Sequence, residues 1–160
     1  KSLKLIDPRY SVKWIHIGDG SLNKELRQAA KALKQNTTYN FLGYLSNQEV
    51  LKYYAQNKID LFVNVSESEG IPVSIMEAIS LGIPAIATDV GGTREVIKNE
   101  FGYLLSKDFK VSELKDIIEK YADKSVLEIE EMRKSARDFY LKNFDADKNY
   151  TRFMEILKSI

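Results

Sequence analysis

The chain has 160 residues, 44% hydrophobic and 29% charged, with a formal net charge of +1. That is one soluble domain's worth of chain with enough apolar content for a core, and its near-neutral balance argues against a dedicated nucleic-acid binder. The absence of cysteine excludes a disulfide framework and thiolate chemistry and fits a reducing cytosol, and with a single histidine a protein-built metal site is not expected. No apolar run approaches a membrane span, and no signal peptide is visible.

Lys1 to Arg9 reads as the tail of a helix broken at Asp7-Pro8, and the start without methionine is what a fragment would show. Val12–Ile17 reads as a strand closed by Gly18-Asp19-Gly20. That triplet is half of a dinucleotide fingerprint and also reads simply as a tight strand-to-helix turn. His16 reads as a packed strand residue, because nothing near it has metal or triad spacing. Ser21 is expected to cap a helix whose apolar face is Leu22, Leu26, Ala29 or Ala30, and Leu33. Tyr39 to Tyr44 is the next strand. After it Ser46-Asn47-Gln48-Glu49 has the pattern of a capping box, with Leu45 and Val50 placed as a hydrophobic staple.

Ile59–Val65 is a short apolar run rich in β-branched residues, hence a buried strand. A small polar turn follows, and a helix starts near Pro72, whose missing N–H costs nothing in a first helical turn. The turn aims free N–H groups and the positive end of the helix dipole at whatever lies in front, a ready site for a phosphate. Glu69 in the turn and Glu77 in the second turn of the helix bracket that site. Apart from the stripe Ser74, Glu77 and Ser80 this helix is apolar, so it is expected to pack on more than one side. Taken alone, Glu77 also reads as the solvated edge of a core helix.

Pro84–Thr88 is a further buried strand. Gly91-Gly92-Thr93 opens a short helix with Glu95 in its first turn, and Gly102–Leu105 closes the sheet. Strands alternating with helices at this spacing predict an α/β fold, a Rossmann-like doubly wound parallel sheet with flanking helices. Ligands of such sheets bind beyond the carboxyl ends of the strands, where the turns at Gly18, Tyr44, Glu69 and Gly91 fall. From Val111 the chain reads as extra C-terminal helices. Leu114, Ile117, Ile118 and Tyr121 form one face, and Ile129, Met132, Ala136, Phe139 and Tyr140 another. Asp145 caps a last helix with the stripe Phe153, Ile156, Leu157 and Ile160.

Glu69-Gly70-Ile71-Pro72 through Glu77-Ala78, then Gly82-Ile83-Pro84, then Asp89-Val90-Gly91-Gly92 with Glu95-Val96, resembles the nucleotide-sugar domain of retaining glycosyltransferases with the GT-B fold. The string is most similar to their family 4, whose signature is two glutamates separated by seven residues. The likeness covers Val12 to Ser106 well and the rest more loosely. The last helix departs from the family's usual Phe-Ser-Trp-Glu opening and reads Phe144-Asp145-Ala146-Asp147.

The resemblance implies the C-terminal half of a two-domain enzyme that moves a sugar, with retention, from a nucleoside-diphosphate sugar. It implies a glycan or lipid-linked acceptor, held by an N-terminal domain absent here, and a role in cell-surface polysaccharide synthesis. Glu69 would be the catalytic-site residue, holding the donor-sugar hydroxyls, and Glu77 would hold the ribose hydroxyls. The amides of Gly70, Ile71, Val73 and Ser74 would line the diphosphate. Gly18 would lie near the nucleotide, and the main chain of Tyr44 and Leu45 would touch its base.

No metal and no cofactor beyond the donor are implied. The family's basic pair, which stabilises the leaving diphosphate, lies upstream of this sequence, so the fragment alone is expected to be inactive. The full enzyme is expected in the cytoplasm, with peripheral association at the inner face of the cell membrane. Two other readings stand beside this one: a GT-B-shaped sugar-nucleotide epimerase, and a non-catalytic nucleotide-binding module.

Overall fold

A computed structural model describes residues 1–158. In chain order it has a 3-10 turn Ser2–Lys4, β1 Val12–Ile17, α1 Asn23–Ala30, β2 Thr37–Gly43, α2 Asn47–Gln56, β3 Phe62–Asn64, α3 Val73–Ser80, β4 Ala85–Thr88, α4 Thr93–Val96, β5 Gly102–Leu105, α5 Val111–Ala122, α6 Val126–Asn143 and α7 Ala146–Lys158. The fold is α/β with parallel sheets flanked by helices and with extra C-terminal helices, as the strand and helix pattern predicts. The chain divides into two compact units, Lys1–Asn57 with Asp108–Lys124, and Lys58–Lys107 with Ser125–Ile160.

In the first unit β1 and β2 run parallel, Trp14 opposite Tyr39 and His16 opposite Phe41, until the register shifts after His16. Paired positions share a face, so these rings form one aromatic cluster, with Trp14 and His16 centred 5.1 and 5.2 Å from Phe41. His16 is therefore a packed strand residue, as read. The Arg27 guanidinium lies 4.7 Å over the Phe41 ring.

Two local expectations in this unit need correction. The N-terminal segment is a 3-10 turn rather than the tail of a helix. Ser21 does not cap α1: the N-cap is Leu22, without a side-chain cap bond, and Leu22 is 59% exposed. The reason lies two residues upstream, where Asp19 accepts the Gly20 N–H at 2.8 Å and Asn23 Nδ2 at 2.6 Å and so organises this turn itself. The Ser46 capping box does form, with Ser46 N–H donating to Glu49 Oε2 at 2.8 Å and Glu49 N–H to Ser46 Oγ at 3.4 Å. Glu119 on α5 accepts the Asp7 N–H and Asp123, the C-cap of that helix, accepts the Tyr10 hydroxyl, which ties the helix to the N-terminal segment.

In the second unit β4 is the middle strand between β3 and β5, and every residue of it is buried. Ile75 and Ile79 of α3 meet Ala85 and Ala87 of β4, with Val96, Ile97, Phe101 and Ala136, in one core. Strand β3 is shorter than Ile59–Val65. Arg133 Nη1 takes the Ile59 carbonyl at 2.8 Å, and Asn64 Oδ1 accepts the Ser66 N–H at 3.0 Å, so both flanks leave the ladder.

Helix α3 packs on α6 as well as on the sheet, so the expectation of burial on more than one side holds. Where α3 ends, Gly82 has φ +68°, and a Cβ there would stand 2.9 Å from the Arg133 carbonyl oxygen of α6. Asp145 caps α7 as read, accepting the Lys148 N–H at 3.0 Å. No described residue of α7 is buried, and Phe153, Ile156 and Leu157 of its apolar stripe are exposed; Ile160 lies outside the described residues. Among the described residues no helix is long and apolar enough to cross a membrane.

The α3–α6 approach gives a direct test. Gly82→Ala must place a Cβ in the left-handed region, at a cost of about 1–2 kcal/mol before the contact with Arg133 is counted. Thermal unfolding should show a Tm lower by roughly 2–8 °C. Gly20→Ala, where a Cβ meets nothing within 4 Å, should leave Tm unchanged.

Candidate donor site

The turn after β3 is organised by its own polar side chains. Asn64 sits at the last position of the strand, where it presents both ends of its amide to the turn. Its oxygen accepts the Ser66 N–H and hydroxyl, the latter at 2.6 Å, while its Nδ2 donates to Glu69 Oε1 at 2.9 Å. Bonds from Ser66 and then Asn64 hold the Glu69 carboxyl below the usual glutamate range, against a smaller opposing effect of burial. The Ser66 hydroxyl carries one hydrogen, so it is shared between Asn64 Oδ1 and Glu69. Glu69 is half-buried, fixed in place and ionised near neutrality.

Pro72 is the N-cap of α3 rather than its first helical residue. It is buried, and its carbonyl accepts the N–H groups of Ile75 at 3.1 Å and Met76 at 3.3 Å. The amides of Val73 and Ser74 precede the first intrahelical bonds. Together with those of Gly70 and Ile71 they donate to no acceptor among the described residues. Gly70, Ile71, Val73 and Ser74 are all exposed, so these four N–H groups stand on an open surface beside Glu69. Glu77 is half-buried one turn further along α3, and its carbonyl accepts the Ser80 hydroxyl at 2.7 Å. Glu69, the four amides and Glu77 thus belong to one continuous turn and helix in the second unit.

A second loop braces that turn, a contact with no direct sign in the residue pattern. Gly91, at φ +53°, lies so close to the turn that a Cβ would overlap the Glu69 carbonyl oxygen. The Gly92 N–H donates to the Gly70 carbonyl at 2.8 Å, and Thr88 Oγ1 donates to the Ser66 carbonyl. Asp89 pairs with Arg94 on the far side of the same loop. Two adjacent glycines after a buried strand are compatible with close backbone approach as well as with the start of a helix. The partner that Gly91 approaches, Glu69, lies 22 residues away in sequence.

The other expected site residues belong to the first unit. Gly18 and Gly43 end β1 and β2 with φ of +126° and +74°, and the Gly18 N–H donates to the Gly43 carbonyl at 2.7 Å. That bond joins the turn carrying Gly18 to the one carrying Tyr44 and Leu45. The Tyr44 side chain is 79% exposed, and Leu45 is half-buried. A cleft of about 220 Å³ runs along the first of these turns, between His16, Gly18, Asp19 and Leu26. Among the described residues no group of three His, Cys, Asp or Glu side chains is placed to hold a metal ion.

Chemically, a row of amide donors at a helix N-terminus accepts an anion, and fixed carboxylates beside it accept hydroxyl hydrogen bonds. A ligand that carries a phosphate between two hydroxylated groups presents the matching pattern.

Comparison with known proteins agrees with this fold. Residues 1–142 match the family described as glycosyl transferases group 1. The O-antigen biosynthesis glycosyltransferase WbnH of Escherichia coli is 33% identical over 112 residues, which is 64% of this chain and 30% of that protein. The E. coli UDP-Gal:alpha-D-GlcNAc-diphosphoundecaprenol alpha-1,3-galactosyltransferase is 28% identical over 147 residues, 89% of this chain and 36% of that one. The chain thus spans about a third of the length of these relatives. Among solved structures, Anabaena HepE in complex with UDP-glucose superposes with a TM-score of 0.75 at 23% identity, over 99% of this chain and 43% of that one.

The Glu69 environment sets a titration test. A carboxyl held low contributes stability that is fully present above the ordinary value of 4.5 and is lost as pH falls through its own lower value. The Glu69 side-chain carbon, followed by NMR, should therefore titrate below 4.5. Ser66→Ala and Asn64→Ala should each bring the midpoint back toward it. A wild-type midpoint at or above the ordinary value would show that the two bonds do not hold the carboxylate.

Proposed function

The chain belongs to the glycosyl transferases group 1 family, and from that premise we propose that it is the donor-binding, C-terminal half of a retaining, family 4 glycosyltransferase. Its donor is a nucleoside-diphosphate sugar, and its acceptor a glycan or lipid-linked glycan of a cell-surface polysaccharide. One observation carries this reading: four unbonded amides at the turn and N-terminus of α3, with Glu69 fixed on one side and Glu77 on the other.

In this arrangement the amides of Gly70, Ile71, Val73 and Ser74 take the diphosphate, where the helix dipole favours negative charge. Glu77 accepts from the ribose hydroxyls. Glu69, ionised and oriented before the donor arrives, accepts from the sugar hydroxyls and fixes the ring for transfer. As the glycosidic bond breaks, charge collects on the departing diphosphate, and the same amides stabilise it. The basic pair that completes this stabilisation, and the acceptor domain, belong to the rest of the enzyme, which works at the cytoplasmic face of the membrane. UDP is the first nucleoside diphosphate to test, because HepE is seen with UDP-glucose and the E. coli galactosyltransferase is named for UDP-Gal.

Calorimetry on the full-length protein separates the two carboxylates. Glu77→Gln keeps side-chain volume and should weaken UDP about tenfold, near 1.4 kcal/mol. Glu69→Gln should leave UDP affinity unchanged and weaken only the sugar-bearing donor. If Glu77→Gln binds UDP and other nucleoside diphosphates like wild type, Glu77 is a solvated helix residue and the ribose assignment falls. The 160-residue chain by itself, given radiolabelled sugar nucleotides and mixed acceptors, should transfer nothing above blank; turnover would sink the two-domain reading.

A further inference from the structure

We infer that the Gly91–Gly92 pair is a positioning element for donor binding: by holding the Gly70 carbonyl it turns the Ile71 N–H outward, toward the diphosphate. The inference rests on the donor-site reading above and adds residues that make no contact with the donor through a side chain.

The Gly70–Ile71 peptide bond is trans, so in its plane the Gly70 carbonyl and the Ile71 N–H point in opposite directions. The Gly70 carbonyl is held by the Gly92 N–H at 2.8 Å. The Ile71 N–H is in the same plane and is therefore directed away from the Gly92 loop. A Cβ added at Gly70 would meet nothing within 4 Å and Ile71 is exposed, so the surroundings of this plane away from the Gly92 loop are not crowded. From Glu67 to Ile71 the described residues show no other backbone-to-backbone bond, so the orientation of this plane depends on Gly92.

The bond in turn needs both glycines. Gly91 must take φ +53° and lie where a Cβ would overlap the Glu69 carbonyl. Gly92 has an ordinary φ of −82°, but a Cβ there would stand 2.8 Å from the Gly70 oxygen and 3.2 Å from Ile71 Cγ1. Gly92→Ala therefore acts with little strain of its own backbone. It pushes on the one carbonyl that sets the Ile71 amide, and leaves the Glu69 and Glu77 side chains in place.

The test uses the full-length protein and the tightest ligand among UDP, GDP, ADP and CDP, with the matching nucleoside alongside. Gly92→Ala should weaken the diphosphate about tenfold while nucleoside affinity, measured by NMR shift titration, stays within twofold of wild type. A purely structural role would lower both together or only lower Tm. Equal diphosphate affinity in a folded Gly92→Ala variant overturns the inference while leaving the donor site standing. Failure of wild type to bind any of the four removes the donor site and the inference together. Should Gly92→Ala not fold, wild type decides: the Ile71 amide should be among the most shifted resonances with the diphosphate and unshifted with the nucleoside. An Ile71 amide that ignores the diphosphate overturns the inference.

Discussion

The second unit depends on backbone lying directly against backbone at a few glycines. A Cβ at Gly102 would stand 2.7 Å from the Ala85 carbonyl across the β4–β5 pair, one at Gly82 would meet the α6 main chain, and Gly91 and Gly92 leave no room against the Glu69–Gly70 turn. Sheet, helix pair and candidate site are each closed at such a point. Interiors packed near crystal density cannot absorb an extra carbon without moving something. Here what would have to move is main chain, which is hydrogen-bonded and cannot rotate aside as a side chain does.

This constraint also connects the core to the chemistry. The buried strand β4 leads through Asp89 and Val90 straight into the glycine pair, and α3 leads from the other side into Pro72. The turn carrying Glu69 is thus braced by two segments that are themselves anchored in the core of Ile75, Ile79, Ala85 and Ala87. The polar end of the device is local: Asn64 and Ser66 position Glu69 within five residues of sequence. A rigid base with a short polar bracket holds a carboxylate in a fixed, half-buried position.

What could be read from the sequence was what short-range physics determines. The capping box at Ser46, the Asp145 cap, the buried strand at Ala85–Thr88 and the helix starting beside Pro72 all follow from residues within four positions of one another. The errors came where a stronger local competitor or a remote partner intervened. Asp19 displaced Ser21 at the start of α1, and Arg133, 74 residues from Ile59, shortened β3. The two glutamates and the four amides were legible as a pattern because they share one turn and helix. The grip of Gly92 on Gly70 was not, because a Gly-Gly pair has no side chain to announce its partner.

The fixed Glu69 carboxylate has a consequence for the proton balance of ligand binding. Near neutrality Glu69 is ionised, so a hydroxyl that bonded to it there would meet a group with no proton left to release. Occupancy at this carboxylate therefore exchanges nothing with the buffer. Its share of the binding heat is the same in phosphate as in an amine buffer, whatever their ionisation enthalpies. Coupling between acidity and occupancy at Glu69 begins only where the carboxylate itself takes up a proton, in the acid range below that of an ordinary glutamate.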